Sequence, residues 1–254
     1  MTTQNTISSV TETLKLLNIV AKHPNTGLSE LARLAELNKS RTFRILCTLA
    51  EQHFVYQAKD GSYQLGHQLL VLGQAAHHQL SLIQAVEQTS EKLRALFNEN
   101  LQLRVIENNE VVQIWRNVSS QSLQVRSVVG NRRPLGAGAA GKLLLTFAES
   151  SIRERFLETC SQAQIQQWNM DFTQIQQSEV SISKGELTQG VYAVAVPIFN
   201  AQGECIASFS MSIPNVRAEN ERLEQIIFEM KQASICHRYL FTHSSKSKRF
   251  SCRD

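Results

Sequence analysis

The sequence predicts an α+β protein of two domains, a small helical domain ending in a β-hairpin and a larger domain whose antiparallel sheet is flanked by helices. Three observations predict it. The first seventy residues carry three amphipathic helical patterns and then two β-prone runs around Asp60-Gly61. From Leu69 to about Asn98 the chain is almost free of Gly and Pro and reads as a connecting helix. Beyond it strands, helices and strands follow in blocks and do not alternate, which is the order of an α+β domain. A length of 254 residues suits two domains of ordinary size.

Each element has a local reason. Ser8 or Ser9 can cap a first helix whose apolar positions Val10, Leu14, Leu17 and Val20/Ala21 recur at helical spacing until Pro24 and Gly27. Ser29 stands before Leu31, Ala32 and Ala35 as the cap of a short second helix. Asn38 caps a third, with Phe43, Leu46, Cys47 and Ala50 as its inward stripe. Phe54–Tyr56 and Tyr63–Leu65 form a hairpin around Asp60-Gly61. The connecting helix has a possible break at Gly73. Strands follow at 101–107, 110–116 and 123–129, with Asn108-Asn109 as a tight turn between the first two. Helices are expected at 139–147, 151–159 and, weakly, 171–181. Strands at 191–199 and 205–213 flank a turn at 200–203, and a last amphipathic helix runs from about Ala218 to Leu240.

Composition excludes several classes. With 42% apolar and 19% charged residues the chain is core-forming, neither disordered nor fibrous. A net charge of +4 is too small to argue for a polyanion partner, so any nucleic-acid reading depends on where the charges sit. Five scattered cysteines without a C-x-x-C pair fit free thiols in a reducing compartment. The polar N-terminus is no secretory signal, and the longest apolar run, Val191–Phe199, is about half the ~18 residues a membrane span needs. A cytoplasmic protein without a membrane partner is expected.

The charges are concentrated on the third helix. At about 100° per residue, Leu46, Cys47 and Ala50 fall near Phe43, while Arg41, Arg44, Ile45 and Thr48 fall on the opposite side. Lys39 and Ser40 lie in the first turn, whose N–H groups attract phosphate. No acidic residue interrupts positions 38–50. A solvated face would explain three cations in six residues equally well. The context of a short helix, a turn, a basic helix and a hairpin is that of a winged helix-turn-helix, with Lys59, Ser62 and Tyr63 on the wing. Double-stranded DNA is the expected partner.

Two other motifs carry less. The run Gly136–Lys142 satisfies G-x-G-x-x-G and nearly satisfies the phosphate-loop pattern, but Leu143 stands where a Mg²⁺-binding hydroxyl belongs and Asn131–Pro134 is no apolar strand. Small residues there instead let a helix N-terminus approach backbone or a carboxylate. His77-His78, Cys236-His237 and His243 lack chelating geometry, because adjacent helical residues point about 100° apart. No nucleophile elbow or zinc-protease motif appears. No metal, cofactor or catalytic residue is expected. An enzyme on the second domain and an architectural nucleic-acid protein are the rival readings.

The segments Val10–Leu17, Leu28–Ala32, Asn38–Leu46 and Tyr63–Gly66 resemble the N-terminal domain of IclR-type bacterial transcriptional regulators. Arg133–Lys142, Gly185–Leu187, Gly190–Phe199 and Ser208–Pro214 continue the likeness over nearly the whole chain, with Asn38 where members often have Pro. The resemblance implies a winged helix-turn-helix (5–73), a linker helix (74–98), a GAF-like effector-binding domain (99–243) and a basic tail (244–254). It implies a homodimer or homotetramer on a pseudo-palindromic operator, contacted by Ser29, Lys39, Ser40, Arg41, Thr42, Arg44, Thr48, Lys59, Ser62 and Tyr63. It places Ala139, Ala140, Ser183, Ala193 and Ser210 around a small carboxylate or aromatic acid effector. The pocket is expected to be rather apolar, and Glu186 to make a structural hydrogen bond. Such a regulator controls a catabolic operon as repressor or activator, the latter with RNA polymerase as partner, and effector binding acts through the linker helices.

Overall fold

A computed structural model describes residues 6–243, so the basic tail lies outside the described residues. The chain divides into two compact units between Leu80 and Ser81. In the first, α1 (Ser8–Lys22), α2 (Leu28–Ala35) and α3 (Lys39–Glu51) pack on a small antiparallel sheet. Its strands are β1 (Thr26–Gly27), β2 (Val55–Gln57) and β3 (Ser62–Leu65), in the order β1-β3-β2. The shared core is Leu16, Val20, Leu31, Ala35, Leu46, Leu49, Val55 and Tyr63.

Two helix starts differ from the sequence reading: α1 has Ile7 at its N-cap position with no side-chain cap, so neither Ser8 nor Ser9 caps it, and α2 starts without a cap from Ser29. α1 buries Leu16 and Val20, whereas Val10 and Leu14, read as part of its inward stripe, are largely exposed. Its fully buried side chains lie in its second half, so the apolar residues of its first turns have no core to enter. α2 begins immediately after Gly27, its N-cap, and Ser29 sits inside the first turn and caps nothing. The cause is β1: pairing of Gly27 with Ser62 holds the backbone extended up to Gly27. Asn38 does cap α3, its side-chain oxygen accepting the Arg41 N–H at 2.8 Å.

The connecting stretch is two helices, α4 (Gln68–Gln79) and α5 (Ser81–Phe97), broken at Leu80 and not at Gly73. α5 contributes Ile83, Val86, Leu93 and Phe97 to the core of the second unit. That unit is built on a six-stranded antiparallel sheet. Its strands are β4 (Asn100–Glu107), β5 (Glu110–Asn117), β6 (Arg132–Pro134), β7 (Ser181–Lys184), β8 (Val191–Phe199) and β9 (Cys205–Pro214), in the order β6-β5-β4-β9-β8-β7. Helices α6 (Gly138–Thr146), α7 (Ser150–Leu157), α8 (Gln162–Ser178) and α9 (Asn220–His243) complete it. Asn108 and Asn109 both take positive φ in the β4–β5 turn, the left-handed conformation that asparagine tolerates best after glycine.

The strand expected at 123–129 does not form. Side chains take its carbonyls in place of a ladder: Asn100 donates to the Val125 oxygen, Arg116 to that of Ser127 and Arg217 to that of Leu123. The short β6 pairs with β5 at the sheet edge instead. The weak helix expected at 171–181 is the second half of α8, which starts at a Ser161/Gln164 capping box and stops at Glu179 in the left-handed region. Residues 181–184 go to β7.

Period-two alternation gives the sheet two unlike faces. Leu101, Leu103, Val194, Val196, Ile198, Ala207, Phe209, Met211 and Ile213 form one core with α5 and α9 residues. Gln102, Arg104, Gln113, Ser183, Ser210 and Ser212 belong to the other face, over which α6 packs.

Candidate nucleic-acid interface and small-molecule pocket

α3 is rotated about its axis by roughly a quarter-turn from the sequence expectation. Its inward residues are Thr42, Leu46 and Leu49, with Ile45 partly buried, and Phe43 is 48% exposed. Thr42 is 0% exposed, and its hydroxyl donates to the Asn38 carbonyl at 2.9 Å, so it faces the core and cannot reach a ligand in solvent. The stripe of Leu31, Leu46 and Leu49 outweighs the single aromatic in setting the helix phase. The outer face then carries Ser40, Phe43, Arg44 and Thr48, with Arg41 and Lys39 beside them, all exposed. Arg41 pairs with Glu12 of α1 at 2.5 Å. Ser9, Thr13, Asn38, Ser40, Arg41 and Arg44 border one open groove.

The wing residues separate. Lys59 is exposed at the hairpin tip. Ser62 is buried, its hydroxyl and amide both bonded to the Asp60 carboxylate at 2.7 and 3.0 Å, and these bonds hold that carboxyl below the usual carboxylate range. Tyr63 is 3% exposed and packs into the core of the unit; burial pushes its phenol up. Neither Ser62 nor Tyr63 is presented outward. β3 lies in the middle of its sheet, paired on both sides, and its first two residues are buried while Leu65 is exposed. Ser29 remains exposed on α2.

In the second unit Ala139, Ala140, Ser183, Ala193 and Ser210 all line one small cavity of about 60 Å³. Gly138, at φ +65°, lets α6 begin there; a Cβ on it would stand 2.5 Å from Leu187 Cδ1. Gly141 approaches the backbone of Gly136, where a Cβ would meet it at 3.2 Å. Lys142 does not point to a phosphate site; it pairs with Glu186 at 2.6 Å, the structural bond expected of that acid. Among the described residues no group of three His, Cys, Asp or Glu could hold a metal, and no helix is long and apolar enough to cross a membrane.

The lining is more apolar than polar, as expected from the sequence, but Arg104, Arg126 and Arg133, which the sequence reading does not place there, line the same cavity with Ser127, Thr188 and Ser212. Among the described residues no Asp or Glu lines it. Arg104 donates to Ser210 Oγ at 2.9 Å, Gln113 Oε1 at 2.9 Å and Gln102 Oε1 at 3.3 Å, all neutral acceptors. Burial, with the Arg133 charge nearby, brings its pKa down to about 10. The alternation Leu101-Gln102-Leu103-Arg104-Val105 was the signal for it, since it sets Gln102 and Arg104 on one face of a strand. Arg126 and Arg133 carried no such signal, because one lies in irregular chain and the other on a three-residue strand.

A helix-turn-helix unit joined to a unit enclosing a cationic small-molecule cavity is the architecture of a one-component transcriptional regulator. Residues 9–59 match the IclR helix-turn-helix domain, and residues 74–236 match the bacterial transcriptional regulator IclR C-terminal domain. The chain belongs to the IclR family. It is 26% identical over 239 residues to the HTH-type transcriptional regulator KdgR of Escherichia coli K12, covering 91% of each chain. It is 26% identical over 207 residues to the HTH-type transcriptional repressor AllR of the same strain, covering 78% of this chain and 76% of that one. An IclR homolog from Microbacterium hydrocarbonoxydans, solved in complex with 4-hydroxybenzoate, shares the fold at a TM-score of 0.80, with 21% identity over 93% of this chain and all of that one. The named relatives are regulators, not enzymes.

Proposed function

We propose that the protein is a ligand-responsive repressor that binds a pseudo-palindromic operator as a homodimer or homotetramer and releases or retains it according to a small organic acid. The observation that carries this reading is the pairing, in one chain, of an outward α3 face bearing Lys39, Ser40, Arg41, Arg44 and Thr48 with a separate cavity lined by three arginines and, among the described residues, no acid. Arg44 lies at the centre of the outer face and suits a guanine edge; Lys39 and Lys59 suit phosphates. Exposed Ile7, Val10 and Leu14 on α1 and Leu70, Val71 and Leu72 on α4 supply apolar surface for pairing with a second copy. Repression is favoured over activation by the likeness to the repressor AllR, and a carboxylate effector by the 4-hydroxybenzoate complex of the Microbacterium homolog. Operator binding places its action in the cytoplasm, and control of a catabolic operon is the setting in which an acid effector is the inducing nutrient.

The test is a salt-controlled gel-shift titration on operator DNA from the region upstream of the gene. Arg44→Ala lowers affinity by about 1–3 kcal/mol if it makes a base contact. Unchanged affinity removes Arg44 from the reading role. Ligand in the cavity alters operator affinity by about 1–3 kcal/mol of coupling, and constant affinity at saturating ligand removes the effector role.

A further inference from the structure

We propose that the cavity of the second unit is built for a small acid carrying two negative charges, a short dicarboxylate, an inference that rests on reading this cavity as the effector site.

The argument is one of charge matching. Several cations of the second unit that point away from the cavity are neutralised by acids. Lys142 pairs with Glu186, and Arg132 pairs with Glu107 and Glu110. Arg217 and Arg222 share the buried Glu99. Arg133 is the next residue along β6 from Arg132, so strand alternation sends its side chain to the opposite face, toward the cavity. No carboxylate meets it there among the described residues. Arg104 faces the same space with only Ser210, Gln102 and Gln113 as acceptors.

Two guanidinium groups facing one partly enclosed space repel each other, and the Arg133 charge is felt at Arg104. A single carboxylate can be shared by two arginines but leaves net positive charge in a poorly solvated place. A dianion removes it, and each guanidinium fork can then hold one anionic group. Arg126 at the mouth and the N–H groups of the first turn of α6 add further favourable field for the second charge. Val111, Leu187 and Val191 give the cavity apolar walls between these groups, which suits a short aliphatic spacer. A neutral or purely aromatic ligand would leave Arg104 and Arg133 without a counter-charge.

The experiment titrates the full-length chain at neutral pH and constant ionic strength with acids matched in size and differing in charge. The pairs are butyrate with succinate and pentanoate with glutarate, followed by calorimetry and thermal shift. At least one dianion is expected to bind about tenfold or more tighter than its monoanionic partner. In Arg133→Gln, which changes a side chain outside the hydrophobic cores, that preference falls to about threefold or less while the monoanion still binds. Arg104→Gln gives a second reading of the same loss. Monoanions binding as tightly as dianions, or a preference that survives both substitutions, overturns the dianion assignment and leaves the effector site standing. If no acid of either charge binds the folded protein, the effector reading fails and the inference with it.

Discussion

The Arg41 guanidinium stands 2.5 Å from the Glu12 carboxylate, Nε to Oε2, so α1 holds one arginine of the α3 outer face. The pair is half exposed, and its net contribution to stability is small, about 0–1 kcal/mol. Its larger effect is on approach to DNA, because the acid cancels a cation where a phosphate would otherwise sit. Glu12→Gln is expected to raise affinity for nonspecific duplex and to steepen log K against log salt by about 0.9, one additional phosphate contact. An unchanged slope in fluorescence-anisotropy titrations would show that Arg41 takes no part in DNA contact.

Thr42 and Phe43 are neighbours with opposite fates, and their variants separate folding from reading. Thr42→Ala loses a buried methyl and hydroxyl whose bond to Asn38 steadies the first turn of α3. It is expected to lower stability by about 1–2 kcal/mol without changing which operator is preferred. Phe43→Ala removes an exposed ring from the face beside Arg44 and leaves stability within about 0.5 kcal/mol. It is expected to weaken operator binding, most at a position where thymine offers its methyl group. Chemical denaturation and binding to single-base operator variants measure the two effects; a Phe43→Ala protein that binds normally places the ring outside the interface.

Glu99 is 1% exposed and receives Arg217 at 2.6 Å and Arg222 at 3.2 Å, and Arg217 is held above its ordinary pKa by that bond. Arg217 and Arg222 also reach the carbonyls of Leu123 and Phe97, so the cluster ties α9 and its approach to the irregular 118–131 segment and the end of α5. Glu99→Gln leaves two guanidinium groups without their anion and is expected to destabilise the second unit by about 3 kcal/mol. Differential scanning calorimetry should show the loss as a lower melting temperature; a change below about 0.5 kcal/mol would mean that solvent already neutralises the pair.

The wing carries a pH dependence of known sign. Ser62 donates twice to Asp60 and lowers the pKa of that carboxyl in the folded state. The stabilisation is complete above the ordinary aspartate value near 4 and is lost as pH falls through the lower folded value. The Ser62 amide resonance is expected to titrate below the ordinary aspartate range. In Asp60→Asn that titration disappears. A Ser62 shift centred at or above the ordinary value would contradict the bonding described.

Much of the site was legible because one-dimensional patterns carry it. The cap at Asn38, the hairpin at Asp60-Gly61 and the turn at 200–203 between β8 and β9 depend on neighbours within a few residues, and they appear where the pattern placed them. The small-residue run at 136–141 was read for what its glycines permit, a close backbone approach. The phase of α3 was not legible. A helical wheel with Phe43, Leu46, Cys47 and Ala50 on one side and another with Thr42, Leu46 and Leu49 are both plausible from residue types. Contact with the other core residues, among them Leu31 and Tyr63, selects the second. Ser62 and Tyr63 were misplaced for the same reason, since nothing local says that β3 is the central strand.

By itself the sequence determined the two-domain order, the helix-turn-helix with a third helix that is basic and free of acids over positions 38–50, and most of the strands of the second domain. These follow from turn chemistry, capping and periodicity, which act over a handful of residues. Only the tertiary structure decided which arginines meet an acid and which meet none. Arg132 and Arg133 are identical in type and adjacent in the chain. The sheet sends one to Glu107 and Glu110 and leaves the other facing the cavity with Arg104, because charge compensation is set by the face a side chain occupies and by what lies across the space from it.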